Sequence, residues 1–87
     1  MLLKKPKEGK IAMQETKIVL RDIQSVREFV GLVIMLEYEV DLVQGRYIVD
    51  AKSIMGIFSL DFISPITLIA HTDNADALFE RIAKFVV

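Results

Sequence analysis

Four segments of the chain alternate apolar and polar residues with a period of two, which is the spacing of a half-buried β-strand. The four segments are residues 16–20, 39–43, 46–51 and 65–71. The residues that this alternation turns inward are Ile18, Leu20, Val40, Leu42, Tyr47, Val49, Ala51, Ile66, Leu68 and Ala70. Because Gln44 and Gly45 supply a tight turn between the middle two segments, the pattern predicts a β-hairpin there.

Three other segments carry apolar residues at helical spacing, and each follows a polar residue that can cap a helix. The predicted caps are Ser25, Ser53 and either Asp73 or Asn74. Ser25 and Glu28 match the S-x-x-E capping box, in which each side chain bonds the backbone of the other residue. The second helix is short and ends near Leu60, with Ile57 and Leu60 facing the sheet. The apolar stripes of the other two helices are Val26, Phe29, Val30, Val33 and Leu36, and Leu78, Phe79, Ile82, Phe85 and Val86.

The order of elements is therefore β-α-β-β-α-β-α. It predicts an α+β fold, an open-faced β-sandwich with a four-stranded antiparallel sheet and three helices on one face. The other face of the sheet is mixed and would carry Lys17, Val19, Glu39, Asp41, Ile48, Asp50, Thr67 and Ile69. Tolerated surface residues explain its aliphatic side chains best, with a homodimer as the alternative. Residues 1–15, which are rich in lysine, are predicted to form a disordered leader, so the domain covers residues 16–87.

Composition narrows the class of function. A chain of 87 residues fits one domain, and its net charge of −1 provides no basic face for nucleic acid. Without cysteine, and with His71 as the single histidine, the sequence predicts neither a metal site nor a cofactor. The longest apolar stretches, residues 29–36 and 62–70, are too short to cross a membrane, and the N-terminus is not a secretory signal. A cytoplasmic protein is therefore expected, with a solvated His71 or one bonded to Thr72 or Asp73.

A specific string, DAKSIMGIFSL, occupies residues 50–60. It resembles the K-S-I-M-G-x-x-S-L hallmark around the regulatory serine of the HPr family, the phosphocarrier proteins of the sugar phosphotransferase system. The hairpin before it aligns with the family without gaps, and element order and length agree over residues 16–87. The resemblance implies the HPr fold, which is the open-faced β-sandwich predicted above.

The resemblance fails at the phosphocarrier loop. Family carriers have a G-[LI]-H-A-R-P loop before the first helix, and its histidine takes phosphate from enzyme I and passes it to a sugar-specific acceptor. A count back from Ser53 puts Asp22, Gln24 and Ser25 in this loop, with no histidine. Since a phosphoramidate needs an imidazole nitrogen, the sequence predicts a degenerate loop without carrier chemistry. Asp22 remains as a non-standard acceptor, but no neighbouring residue offers the metal cradle that acyl phosphate sites use.

The resemblance assigns roles to the second helix. In Gram-positive members a dedicated kinase phosphorylates the serine that matches Ser53, and the product helps a catabolite repressor bind DNA. Ser53 is therefore expected to be a regulatory phosphorylation site as well as a helix cap, and Lys52 would pair with the phosphate or be solvated. Ile54, Met55 and Phe58 match the apolar patch that docks protein partners, although core packing is an equal alternative for Phe58. Together with the neighbouring Lys52 they are the expected partner-binding residues.

The function expected from the sequence is that of an HPr-like, non-catalytic regulatory or binding module. It would bind protein partners through the helix at residues 53–60, with no nucleic acid or membrane partner, and with Ile54 and Met55 both exposed. One alternative is a phosphotransferase-system phosphocarrier that uses a non-standard acceptor. Another is a small-molecule-binding or structural α+β domain.

Overall fold

The structure, a computed structural model, describes residues 12–87. Its elements are β1 (Gln14–Ile18), α1 (Ile23–Val33), β2 (Val40–Gln44), β3 (Tyr47–Asp50), α2 (Ile54–Ile57), β4 (Ile66–Ala70), α3 (Asp76–Arg81) and a short 3₁₀ helix (Ala83–Phe85). The strands form one antiparallel sheet in the order β1-β4-β2-β3. The predicted α+β open-faced sandwich is therefore confirmed, with its order of elements. In residues 12–87 no helix has both the length and the apolar character needed to cross a membrane.

One face of the sheet is covered by the helices and forms the core. The fully buried strand residues on this face are those that the alternation predicts: Ile18, Val40, Leu42, Ile66, Leu68 and Ala70. Tyr47 differs from its prediction and is exposed, because it lies next to the hairpin turn on an edge strand. Phe29 of α1 is fully buried and meets the Phe85 ring edge to face, with the ring centroids 5.9 Å apart. This contact joins the longest helix to the C-terminal turn.

The start of β1 lies earlier than predicted. The strand begins at Gln14, so residues 14–15 belong to the sheet and not to the leader, and residues 1–11 of the predicted leader lie outside the described residues. The Gln14 side chain bonds to residues that are distant in the sequence. Its Nε2 donates to the Asp73 carbonyl at 2.7 Å. Its Oε1 accepts from the Ala75 N–H at 3.3 Å. The N-cap position of α3 is Ala75, later than the predicted Asp73 or Asn74. The Asn74 side chain nevertheless contributes, because its Oδ1 accepts from the Asp76 N–H, the first of the helix, at 3.2 Å.

The two edges of the sheet differ. On the β1 side, the Val87 N–H donates to the Lys17 carbonyl at 3.0 Å, and the Val19 N–H donates to the Phe85 carbonyl at 2.8 Å. The C-terminal residues therefore cover part of the β1 edge. Within residues 12–87, β3 at the opposite edge has a neighbouring strand on one side only.

Candidate functional site

Ser53 begins α2, as the sequence predicts. Its Oγ accepts from the Gly56 N–H at 3.1 Å, and its own N–H donates to the Asp50 carbonyl at 2.9 Å. The helix itself is a single turn, Ile54–Ile57, and does not continue to Leu60. The Leu60 N–H donates to the Ile57 carbonyl three residues back, which is the tighter spacing of a 3₁₀ turn. Because so few peptide dipoles are aligned, the helix dipole favours an anion at Ser53 less than a longer helix would.

The apolar side chains of α2 divide between the core and the surface. Ile57 and Leu60 are buried against the sheet, as predicted. Met55 is 75% exposed, whereas Ile54 is half-buried and packs against the core. The expected exposure is thus confirmed for Met55 and wrong for Ile54, because adjacent helix positions point about 100° apart. Phe58 is 41% exposed, so it lies mostly outside the core.

The loop after α2 extends this apolar surface, which the sequence analysis missed. The Phe62 ring lies against the Phe58 ring, with centroids 6.3 Å apart and planes inclined at 45°. The next residue, Ile63, is 89% exposed. We call Met55, Phe58, Phe62 and Ile63 together the α2 surface. The only signal for its loop part in the sequence is the Phe62-Ile63 pair, which begins five residues after the end of α2 and has no strand or helix period of its own.

This loop is held by hydrogen bonds from the β2 end. The Gln44 Oε1 accepts from the Asp61 N–H at 2.7 Å, and the Gln44 Nε2 donates to the Asp61 carbonyl at 2.9 Å. The Asp61 carboxylate accepts in turn from the Ile63 N–H at 2.9 Å and from the Ser64 hydroxyl at 3.1 Å. The backbone that carries Phe62 and Ile63 is therefore held in place by hydrogen bonds within the domain.

Lys52 is not simply solvated, which was one of the two roles expected for it. Its Nζ donates to the Leu36 carbonyl at 2.7 Å in a partly buried position, and its N–H donates to Asp50 Oδ1 at 2.9 Å. The ammonium group thus ties the segment after α1 to the start of α2. A phosphate on Ser53 would have to compete with the Leu36 carbonyl for this cation.

The residues of the predicted degenerate loop form the beginning of α1. Asp22 is the N-cap, and its Oδ1 accepts from the Ser25 N–H at 2.8 Å. The predicted cap at Ser25 is therefore wrong, and Gln24 and Ser25 lie in the first turn of the helix. Glu28, the expected capping-box partner, forms an ion pair with Lys84 instead. The backbone hydrogen bond from Ser25, followed by the one from its side chain, lowers the pKa of Asp22 below 3.8.

His71 lies on the open face of the sheet and bonds to a residue of another strand. Its Nε2 is 2.8 Å from Asp41 Oδ2, and both side chains are partly exposed. The expected partners Thr72 and Asp73 are wrong, because pairing of β4 with β2 puts Asp41 opposite Ile69, on the face that His71 shares. Residues 12–87 contain no group of three metal-ligating side chains and no pocket.

No protein-family model matches this chain, and no curated protein or solved structure matches it either. The resemblance to the HPr family therefore rests on three features of the sequence. They are the string at residues 50–60, the hairpin that precedes it and the order of the elements.

Proposed function

We propose that this chain is an HPr-like, non-catalytic regulatory module that binds a protein partner through the α2 surface. The observation that carries the proposal is the exposure of Met55 and Phe58 beside Ser53, on a helix whose other apolar residues pack inward. Clustered apolar side chains on the surface of a small domain are typical of interaction sites. Methionine adapts to different partners, and phenylalanine supplies a large anchor.

The rigidity of the α2 surface favours this function. Ile57 anchors the helix in the core, the Ser53 hydroxyl caps it, and Gln44 fixes the following loop. A surface that is ordered in advance loses little conformational entropy when a partner binds. Affinity can then come from a few apolar contacts.

Regulation at Ser53 is the second part of the proposal, and it rests on the resemblance. A phosphate on Ser53 Oγ would add a charge of about −1.5 to −2 next to the exposed Met55. That charge would repel a partner that needs an apolar contact and would attract one that presents arginine. The proposal includes a cytoplasmic location, where a serine kinase and the phosphotransferase proteins would meet the module.

The carrier alternative has less support. Asp22 Oδ1 already accepts the Ser25 N–H as the cap of α1, and an acyl phosphate on this carboxyl group would remove the anion that the cap uses. The small-molecule alternative has no specific observation in its favour, since residues 12–87 form no pocket.

A binding experiment tests the docking surface. We would titrate the ¹⁵N-labelled chain with purified enzyme I, and separately with a catabolite repressor of the phosphotransferase system. Amide shifts confined to residues 53–63 are expected, and Met55→Asp should abolish them. Met13→Asp is the matched control, because Met13 is also exposed (55%) but lies beside β1 at the far edge of the sheet. Unchanged binding by Met55→Asp would refute the docking site.

A transfer experiment tests the loss of carrier chemistry. Incubation with phosphoenolpyruvate and enzyme I should leave the chain without acid-labile or base-labile phosphate, because it lacks the loop histidine. Stoichiometric labelling that disappears in Asp22→Ala or His71→Ala would establish a carrier instead.

A further inference from the structure

The β3 strand presents an ordered row of backbone groups outward at the edge of the sheet. The Ala51 N–H donates to the Val40 carbonyl at 2.9 Å, so the odd-numbered residues of this segment direct their backbone groups to β2. The even-numbered residues, Ile48 and Asp50, therefore direct theirs away from the sheet. Open edges of this kind are templates for pairing with another strand.

Ile48 is at the centre of this edge. Its side chain is 68% exposed on the open face of the sheet. Outside the hairpin, no backbone hydrogen bond of residues 12–87 involves Ile48, whereas the Asp50 carbonyl already accepts from the Ser53 N–H. The β1 edge, in contrast, is partly covered by the C-terminal residues. Of the two edges of the described sheet, β3 is the one available for pairing.

The sequence Arg46-Tyr47-Ile48-Val49-Asp50 is self-complementary about Ile48. In an antiparallel pair of two such strands centred on Ile48, each Arg46 lies opposite the other copy's Asp50, and Tyr47 lies opposite Val49. This register keeps the core-side residues of both copies on the same face, which antiparallel pairing requires. It joins two pairs of opposite charges across the two-fold axis.

The other symmetric registers are unfavourable. A pair centred on an odd-numbered residue would bring together backbone groups that are already bonded to β2. A pair centred on Asp50 would oppose two carboxylates, and one centred on Arg46 would oppose two guanidinium groups. Only the register centred on Ile48 combines the free backbone groups of Ile48 at its centre with opposite charges at both ends.

We propose that the β3 edge is a self-association site, and that its occupant is the β3 strand of a second copy of this chain. The two sheets then form one continuous eight-stranded sheet with isologous two-fold symmetry. The interface is the edge of the sheet, and not the open face that the sequence suggested for a homodimer. Five residues on each side bury less than the roughly 1,200 Å² of standard interfaces, so the proposed dimer belongs to the weak, transient class.

Sedimentation equilibrium and a dilution series of amide spectra on the full chain test this site. A monomer–dimer equilibrium is expected when the chain concentration is raised to about 2 mM, because weak interfaces associate only at high concentration. The shifts that depend on concentration should fall in residues 46–50. A purely monomeric chain at that concentration overturns the proposal. Shifts at Lys17 and Ile69, on the open face, or at Met55 and Phe58, on the α2 surface, overturn it in favour of another interface.

Charge exchange tests the register. Arg46→Glu and Asp50→Arg, each alone, oppose like charges and should weaken the dimer by roughly tenfold. An equimolar mixture of the two variants should associate as strongly as the wild type, because opposite charges then face each other at both positions. Lys17→Glu on β1 is the control with the same change in charge as Arg46→Glu, and it should dimerise normally. Equal weakening by Lys17→Glu, or no recovery in the mixture, contradicts the register.

The Asp50 carboxylate accepts the Lys52 N–H, so Asp50→Arg could fail to fold. A second pair of variants tests the dimer without changing Asp50. Ile48→Lys sets two ammonium groups against each other at the two-fold axis and should abolish the dimer. Ile48→Thr keeps a β-branched residue there and should retain it. Dimerisation of Ile48→Lys with wild-type affinity overturns the proposal.

Discussion

The first two helices of this molecule both begin at a side chain that caps the helix N-terminus, but the two capping groups differ in charge. At α1 the Asp22 carboxylate accepts an N–H three residues ahead at 2.8 Å, and at α2 the Ser53 hydroxyl accepts one at 3.1 Å. Asp22 is an anion, and hydrogen bonds from Ser25 stabilise its charge at the cap. Ser53 is neutral, and a kinase can add charge to it. In the resemblance to the HPr family, the first start lies where the sequence departs from the family's loop motif, and the second lies where it matches the K-S-I-M-G-x-x-S-L hallmark.

The bodies of the two helices differ as much as their starts. α1 spans 11 residues and buries Val26, Phe29 and Val33, whereas α2 spans 4 residues and buries Ile57. The longer helix contributes more to the core, and the shorter one leaves Met55 and Phe58 outside it. Stability is thus concentrated in α1 and the proposed recognition in α2, so substitutions can test the two separately.

The largest expected effect is in the body of α1. Phe29→Ala should lower the free energy of unfolding by about 3–5 kcal/mol, because it removes a fully buried ring and its edge-to-face contact with Phe85. Urea unfolding followed by circular dichroism measures this loss. Met55→Asp, on the exposed side of α2, should stay within about 0.5 kcal/mol of the wild type. Comparable losses of unfolding free energy in the two variants would contradict the proposal that α1 contributes more to stability than the exposed side of α2.

The next effect concerns the cap of α2. Ser53→Ala should lower the free energy of unfolding by about 0.5–2 kcal/mol, because the Gly56 N–H loses its acceptor. Ser59→Ala is a suitable control, since its hydroxyl is exposed and donates to a carbonyl without capping the helix start. Urea midpoints of the three proteins, measured in one buffer, are the readout. Equal midpoints for Ser53→Ala and the wild type would contradict the capping role.

Replacing a glycine in α1 and one in α2 should give a smaller difference in stability between the two helices. Gly31→Ala in α1 should stabilise the fold by about 0.5–1 kcal/mol, because an added Cβ there meets no atom within 4 Å. Gly56→Ala in α2 should gain less, since its Cβ would lie 3.3 Å from the Val49 Cβ. Thermal unfolding of both variants measures the difference. A larger gain at Gly56 would mean that α2 packs on β3 more loosely than described.

The smallest effect is the dependence of the α1 cap on pH. The pKa of Asp22 is lower in the folded chain than its ordinary value of 3.8, mainly because the Ser25 N–H bonds the carboxylate. Its contribution to stability is therefore present above pH 3.8 and is lost as the pH falls through the lower, folded-state pKa. Urea midpoints of the wild type and Asp22→Asn should differ at neutral pH and converge in acid. A constant difference would assign the effect to another carboxylate.

Local patterns predicted most of the fold. Alternation identified the buried residues of β2 and β4, and Gly45, with a φ of 61°, occupies the hairpin turn where only glycine is unstrained. The start of α1 was harder, because Asp22-x-x-Ser25 and Ser25-x-x-Glu28 are overlapping capping patterns and sequence alone does not rank them. Each has the residue types and spacing of a cap.

Contacts between distant residues were beyond the reach of sequence patterns. Gln14 supplies an acceptor to Ala75, 61 residues away, and His71 bonds Asp41 at a separation of 30. In the candidate site, Ser53 was predictable because its cap is local. The exposure of Ile63 and the contact of Phe62 with Phe58 were not, because the Gln44 side chain on another strand sets the course of their loop.

The pairing of β1 has a consequence for the time course of folding. β2 and β3 are joined by a two-residue turn, so they can pair within microseconds. The partners of β1 lie much later in the chain. They are β4, whose Ile69 lies opposite Glu15, and the C-terminal residues. Closing so long a loop is entropically unfavourable until the rest of the sheet exists. β1 is therefore expected to dock last, and β4 is expected to be most prone to aggregation before it does.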